Sequence, residues 1–261
     1  LVVAVFAPWV SPQNPYDLSK LDIMDSKLPP GSVGADGMTY VLGTDDQGRD
    51  MLSAIFYGLR ISLGVGVLST VMALAIGLTL GLAAAFFGGR VDNVIMRIVD
   101  LQLSFPSILI ALILLAALGQ GVDKIIIALV TVQWAYYART VRGSALVERR
   151  KEYIEAAQCL DLPPRRIVFR HLLPNVIAPM IVVGTLQTAH AISLEATLSF
   201  LGVGVPPTQP SLGTLIRIGN DFLFSGEWWI TIFPGLMLVL IALSVNLLGD
   251  WLRDALNPRL Q

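Results

Sequence analysis

From residue 61 to residue 89 the chain carries no Asp, Glu, Lys or Arg, and this gap limits its fold more than any other feature. A charge at the centre of a bilayer costs about 2.5–3.5 kcal/mol on the insertion scale, whereas about 20 apolar residues cross the hydrocarbon core as a helix. Further charge-free intervals lie at 101–122, 125–138, 171–194, 196–216 and 228–249. Those beginning at Ile61, Leu101, His171 and Trp228 pass on both length and composition, and each predicts a membrane-crossing helix. The 125–138 interval is short but solidly apolar, and Arg139 and Arg142 can snorkel from a helix that continues past them, so it makes a fifth. Residues 196–216 hold Pro206, Pro207 and Pro210 with Gly202, Gly204 and Gly213, a set that a lipid-exposed helix cannot keep, and they are expected to form an irregular loop. Residues 1–10 are apolar but too few to cross. With neither a basic leader nor a small-residue cleavage site, they are expected to be the end of a first helix that begins before Leu1.

The remaining composition narrows the function. Charged residues make up 14% of the chain, where roughly 25% is usual in a soluble domain, which excludes a water-soluble enzyme of this size. A 54% share of hydrophobic residues excludes disorder, and a net charge of −1 excludes a nucleic-acid binder. Cys159 is the sole cysteine, so neither an internal disulfide nor a multi-cysteine metal cluster is possible. The four lysines follow Ser19, Ser26, Asp123 and Arg150, so no Gly-Lys-Ser/Thr phosphate loop exists. His171 and His190 lack an acidic partner at helical spacing, which argues against zinc, and no Gly-x-Ser-x-Gly elbow appears. If the chain's work needs nucleotide energy, another chain supplies it.

Lys and Arg set the orientation. Eight of them, Arg139, Arg142, Arg149, Arg150, Lys151, Arg165, Arg166 and Arg170, crowd one connection, which is therefore expected inside the cell. Alternation then places Arg90, Arg97, Arg253 and Arg259 inside as well, giving twelve basic residues inside and six outside. The segment 11–50 agrees, with seven Asp against Lys20, Lys27 and Arg49. Residues 11–60 are thus an outer segment and 61–261 the membrane domain. Within that domain 143–175 is an inner loop and 199–227 an outer one, with both ends of the complete protein inside.

Residues 143–160 read as one helix of strong formers, and Asp161, Leu162, Pro163 and Pro164 stop it and start another. Asp161 is placed to cap that second helix, which runs to about Leu173 and is ended by Pro174. The turn is expected to expose Ala156 and Ala157. In this stretch, EYIEAAQCLDLPPRRIVFRHLLPN, Glu155, Ala156 and Ala157, then Asp161 where the family has Gly, then Ile167, Phe169, Leu173, Pro174 and Asn175, resemble the EAA loop of ABC-importer permeases. Asp is among the few residues that tolerate the left-handed conformation a Gly would adopt. Segments 42–52 (LGTDDQGRDML), 199–213 (SFLGVGVPPTQPSLG) and 246–259 (NLLGDWLRDALNPR), with 88–92 (GGRVD), resemble the C-type permease subunit of dipeptide, oligopeptide and nickel importers.

That resemblance implies an all-α, polytopic membrane protein with the six-helix permease fold, its first helix truncated, and a cytoplasmic coupling helix. It implies the bacterial inner membrane, with 11–60 and 199–227 periplasmic. It also implies a homologous permease as heterodimer partner, two cytoplasmic ATPase subunits that carry ATP and Mg, and a periplasmic substrate-binding protein. This chain would bind no cofactor and catalyse nothing. Coupling to the ATPase would rest on Glu155, Ala156, Ala157, Asp161, Ile167, Phe169 and Pro174. Peptides are the first substrate class, and nickel or another small solute is the alternative. An ion-coupled transporter or channel using Glu195, Asp250 and Asn246 is the alternative of another class, opposed by the scarcity of charge in the spans and the lack of an inverted repeat.

Other segments carry readings of their own. Thr44 with Gln47 predicts a capping box opening a short outer helix over 45–58. Gly77 and Gly81 at four-residue spacing predict close helix packing. Glu195, about 5 Å from the outer end of its span, is a candidate for the translocation pathway or a group reaching interfacial water. His190 and Asn246 are further pathway candidates, and Gln133, Trp134 and Gln187 are expected to make interhelical hydrogen bonds.

Overall fold

A computed structural model of the chain describes residues 2–17, 21–35 and 37–255. Lys20, Asp36 and Arg259 of the charge count, and the end of the 246–259 motif, lie outside these residues. Two short helices, α1 (Val2–Val5) and α2 (Ala7–Val10), precede a small hairpin of β1 (Ser32–Val33) and β2 (Thr39–Tyr40), paired antiparallel. Among the described residues the other regular elements are helical: α3 (Met51–Phe87), α4 (Gly89–Leu103), α5 (Ser107–Leu118), α6 (Val122–Glu148), α7 (Glu152–Cys159), α8 (Pro164–Arg166), α9 (Leu173–Phe200), α10 (Leu212–Asn220) and α11 (Trp229–Ala255), with short 3-10 turns at Ile23–Asp25 and Leu223–Ser225.

The capping box at Thr44 does not form, and no separate outer helix exists. The Asp45 carboxylate instead accepts from the amides of Gln47 and Arg49, both at 2.9 Å, and folds 45–49 into a turn closed by a Thr44–Asp50 bridge. The true cap is Asp50, which accepts from Ser53 N at 2.8 Å and Ser53 Oγ at 2.6 Å. From there α3 runs unbroken for 37 residues, absorbing the expected outer helix and the span beginning at Ile61.

Among the described residues three helices are long and apolar enough to cross a membrane: Met51–Phe87, Pro164–Phe200 and Trp229–Ala255. The interval expected to cross at 101–122 is not one straight helix. Pro106 cannot donate to the preceding turn and restricts Phe105, so α4 and α5 meet at 88°. At 12 residues α5 is too short to cross alone, and the pair makes at most one broken span. Helix α6 has the length, at 27 residues, but Asp123, Lys124, Arg139 and Arg142 leave only 125–138 free of charge.

The chain divides into two compact units. The first comprises Leu1–Val67, Leu112–Ile126 and His190–Leu243. Its 11–50 segment is pinned by buried polar contacts. Tyr40 donates to Asp25 at 3.0 Å, Arg49 is 1% exposed and bridges Asp45 and the Pro207 carbonyl, and Trp229 Nε1 donates to the Thr44 carbonyl at 3.0 Å. The stretch expected to be wholly irregular is only partly so. Helix α9 continues through Phe200, and Ser211 accepts from Thr214 N to cap α10, which leaves the prolines confined to 201–211.

The second unit comprises Leu68–Ala111, Ile127–Ala189 and Ser244–Gln261. Here α3 and α6 touch backbone to backbone. A Cβ on Gly77 would lie 2.8 Å from Ala138 N and Trp134 O, and one on Gly81 would lie 2.6 Å from Ala138 O. The two glycines therefore serve the packing read from their spacing. Below this contact Leu82, Ala85, Val141, Ala145, Leu172, Val176 and Met180 form the core.

Candidate functional site

The 152–175 loop grows from the ends of three helices. Helix α6 stops at Glu148 rather than continuing to residue 160, and Arg149 turns away to donate to the carbonyls of Ala85 and Phe86 at 2.8 and 3.1 Å. There the guanidinium satisfies the end of α3, where unpaired carbonyls attract a cation. After this break α7 begins at Glu152.

Helix α7 ends in a Schellman turn. Asp161 sits at φ 54, the left-handed position that a Gly would take, and Leu162 N donates to Ala157 O at 3.2 Å. Asp161 therefore closes α7 and does not cap the next helix, whose N-cap is Pro163 with no side-chain bond. The apolar contact that accompanies such a turn is present, since Leu162 packs on a cluster of Ile154, Ala157 and Ile167 with Phe86.

This geometry separates two alanines that the sequence presents alike. Ala157 is 4% exposed and belongs to the cluster, contrary to the expected exposure of both. Ala156 is exposed beside the exposed Glu155. Ile167 is buried, whereas Phe169 is 66% exposed. Arg165, Arg166 and Arg170 are also exposed.

Pro174 does not end the second helix. Residues Ile167–Leu172 form a π-helical stretch in which Leu173 N donates to Val168 O, five residues back. The wider turn leaves Pro174 as the second residue of α9, where its missing N–H is not needed. Loop and membrane helix are thereby one element, Pro164–Phe200.

A polar cluster supports the loop from the other side. Glu148 accepts from Tyr153 OH and pairs with Lys151 at 2.8 Å, while Asn175 Nδ2 donates to Tyr153 OH at 3.1 Å and to His171 O at 2.7 Å. Burial and then the Glu148 bond push the Tyr153 hydroxyl up to about 12. Burial works to raise Glu148, but the bonds from Lys151 and Tyr153 outweigh it and hold the carboxyl below its usual range. Ile154, Leu162, Glu148 and Tyr153 were not expected here. The signal for the first two was the apolar series 154, 157, 162 and 167, readable once Asp161 is set left-handed. The other two had none. Beside the loop lies an apolar cleft of about 270 Å³, lined by Thr79, Phe86, Phe87, Arg165, Val168 and Phe169 among others.

The pathway candidates fall in different settings. Glu195 is 0% exposed and held by the hydroxyls of Ser62, Ser199 and Ser211, so it does not reach interfacial water. His190, Asn246 and Asp250 are exposed. Gln133 is buried, with Thr70 Oγ1 donating to it at 3.5 Å, and Trp134 and Gln187 are half-buried.

Residues 77–261 match the family described as the binding-protein-dependent transport system inner membrane component. The chain is 42% identical over its whole length to the dipeptide transport system permease of Escherichia coli, covering 86% of that protein. It is 40% identical over its whole length to a putative peptide transport system permease of Brucella suis, covering 84% of it. A di/tripeptide transport system permease of Pseudomonas aeruginosa is 38% identical over 99% of the chain and 84% of its own length. The fold matches a methionine ABC transporter solved in inward-facing conformations, with a TM-score of 0.65 at 20% identity over 79% of this chain and 98% of that one. It also matches an amino acid ABC transporter, with a TM-score of 0.59 at 15% identity over 77% of this chain and 92% of that one. The chain belongs to the family of inner-membrane components of binding-protein-dependent transport systems.

Proposed function

We propose that the chain is a permease subunit of an ATP-driven importer that carries peptides across the bacterial inner membrane. The observation that carries this reading is the 42% identity, over the entire chain, to a dipeptide transport permease. The partners follow from that class: a homologous permease across the pathway, two ATPase subunits on the inner side and a binding protein on the outer side. ATP and Mg belong to the ATPase chains, and with the basic loop inside, both ends of the complete protein lie in the cytoplasm.

In this reading α7 is the piece that the ATPase grips. Glu155 and Ala156 form its exposed contact, with a small side chain permitting close approach and a carboxylate offering a polar bond. Ala157, Ile167 and Asp161 keep α7 in a fixed shape, and Phe169 adds an exposed apolar contact. Because the loop continues into Pro164–Phe200, a displacement of α7 enters the membrane with no flexible linker after residue 164. His190 and Asn246 are our candidates for the aqueous pathway.

Purification of the complex in mild detergent, with mass spectrometry of its subunits, followed by uptake of labelled dipeptide into proteoliposomes, tests the assignment. Co-purifying ATPase chains and ATP-dependent uptake are expected. Uptake that persists without the ATPase subunits and collapses with the proton gradient would contradict it.

A further inference from the structure

Glu195 is an ionisable residue inside a membrane-crossing helix, and the coupling loop makes no use of it. Its Oε1 accepts from Ser199 Oγ and its Oε2 from Ser62 Oγ, each at 2.7 Å. Both hydroxyls serve twice. Ser199 Oγ accepts from the amide of Val205 at 3.2 Å, and Ser62 Oγ accepts from the amide of Leu212 at 3.4 Å. Two relays thus run in one direction, from amide to hydroxyl to carboxylate, and all their bonds polarise one another the same way. Leu212 opens α10, so its amide is one of those a helix start leaves unpaired, and one relay draws that positive helix end toward the carboxylate.

The amides at the far ends of the relays belong to one segment. Residues 201–220 fold back against α3 and α9, and the carboxylate grips that segment at Val205 and Leu212 through the two relays and at the Ser211 hydroxyl between them. Glycines bring the backbones into contact around these grips. A Cβ on Gly204 would lie 2.6 Å from Ser199 Cα, and one on Gly213 would lie 2.6 Å from Ala196 Cα. On α3, a Cβ at Gly58 would lie 3.2 Å from Leu212 N. Val205, Leu212 and Leu215 are buried there with Thr214, whose hydroxyl donates to Val205 O at 3.3 Å. Among the described residues the groups that hold Glu195 are hydroxyls rather than a cation. A bound cation would neutralise the carboxylate, whereas hydroxyls pass its pull on to the segment.

Building on the importer reading, we propose that Glu195 is the positioning residue that seats the 201–220 segment on α3 and α9, and that this seating is required for peptide uptake. Glu195 acts through Ser62, Ser199 and, on the segment itself, Ser211, and touches no substrate.

The test uses the full complex in proteoliposomes with Cys159→Ser and Val205→Cys, the new thiol being read by a membrane-impermeant maleimide added from outside. Glu195→Leu keeps the bulk and removes both acceptors. It is expected to speed labelling about tenfold and to cut ATP-dependent uptake of labelled dipeptide about tenfold, at equal abundance and subunit composition. Glu195→Gln restores one acceptor oxygen and is expected to return both readouts to within about twofold of the parent, a rescue that a packing role alone would not need. Should Glu195→Leu fail to assemble, Ser62→Ala cuts one relay and is expected to speed labelling about threefold. The proposal is overturned if Glu195→Leu leaves labelling and uptake within twofold of the parent. It is also overturned if Glu195→Gln is as impaired as Glu195→Leu, or if Ser62→Ala labels at the parent rate. A parent complex that takes up no peptide would defeat the importer reading instead, while the labelling comparison would still test the seating role.

Discussion

The 201–220 segment and the 152–175 loop are both short excursions between long helices, yet opposite chemistry holds them. The first is seated by a buried carboxylate, serine hydroxyls and backbone contacts that only glycine permits. The second rests on a few apolar side chains, Ile154, Ala157, Leu162 and Ile167, while its charged groups face outward. Directional bonds and backbone contacts fix a segment in one register. A small apolar foot under a polar surface holds a helix in shape and leaves its outer face free to be grasped. The difference fits a part that stays seated and a part that is moved.

The sharpest way to break the contrast is to charge the foot of the loop. Ala157→Arg buries an unpaired cation between Ile154 and Ile167 and is expected to destabilise the loop by about 3 kcal/mol, opening 149–166 to limited proteolysis. The 201–220 segment should fail by sterics instead. Gly213→Val drives a side chain into the Ala196 backbone and is expected to cost about 2 kcal/mol, read as a lower Tm in detergent with the loop still protected.

A smaller effect isolates the polar support of the loop. Tyr153→Phe removes the hydroxyl bonded to Glu148 and Asn175, and about 1 kcal/mol of loop stability is expected to go with it at neutral pH. The folded Glu148 carboxyl is held below its usual range, so its stabilisation is complete above that range and is lost as pH falls through the lowered value. The gap in proteolysis rate between parent and variant should therefore narrow on acidification, down to the part owed to the Asn175 bond.

How far these features could be read in advance depends on whether their cause is local. Gaps in charge marked the helices because the membrane imposes one rule on every residue of a span. Gly77 and Gly81 announced a close contact, and an Asp in place of Gly at 161 kept the left-handed turn, because both are short-range consequences of side-chain size. Competition misled at Thr44, where Asp45 captured the amides of Gln47 and Arg49 before a capping box could form. Pro106 and Pro174 show the same residue with opposite outcomes. One bends a helix pair by 88°, while the other is accommodated by a π turn that nothing in the local pattern foretold. The Glu195 relay was invisible for a different reason, since Ser62 lies 133 residues away in the chain. Ala156 and Ala157 are adjacent and identical, and only the cluster beneath them makes one a foot and the other a face.

That pair supplies the most direct test of the coupling account. Ala156→Arg places a large cation on an exposed position of α7 and is expected to change folding by less than about 0.5 kcal/mol. Membrane abundance and the protease resistance of the loop should match the parent. The measurement is ATP-dependent dipeptide uptake by the reconstituted complex together with retention of the ATPase subunits. The account predicts that uptake falls at least about tenfold as the ATPase contact is lost. Uptake equal to the parent, at equal abundance and with the ATPase retained, would contradict it.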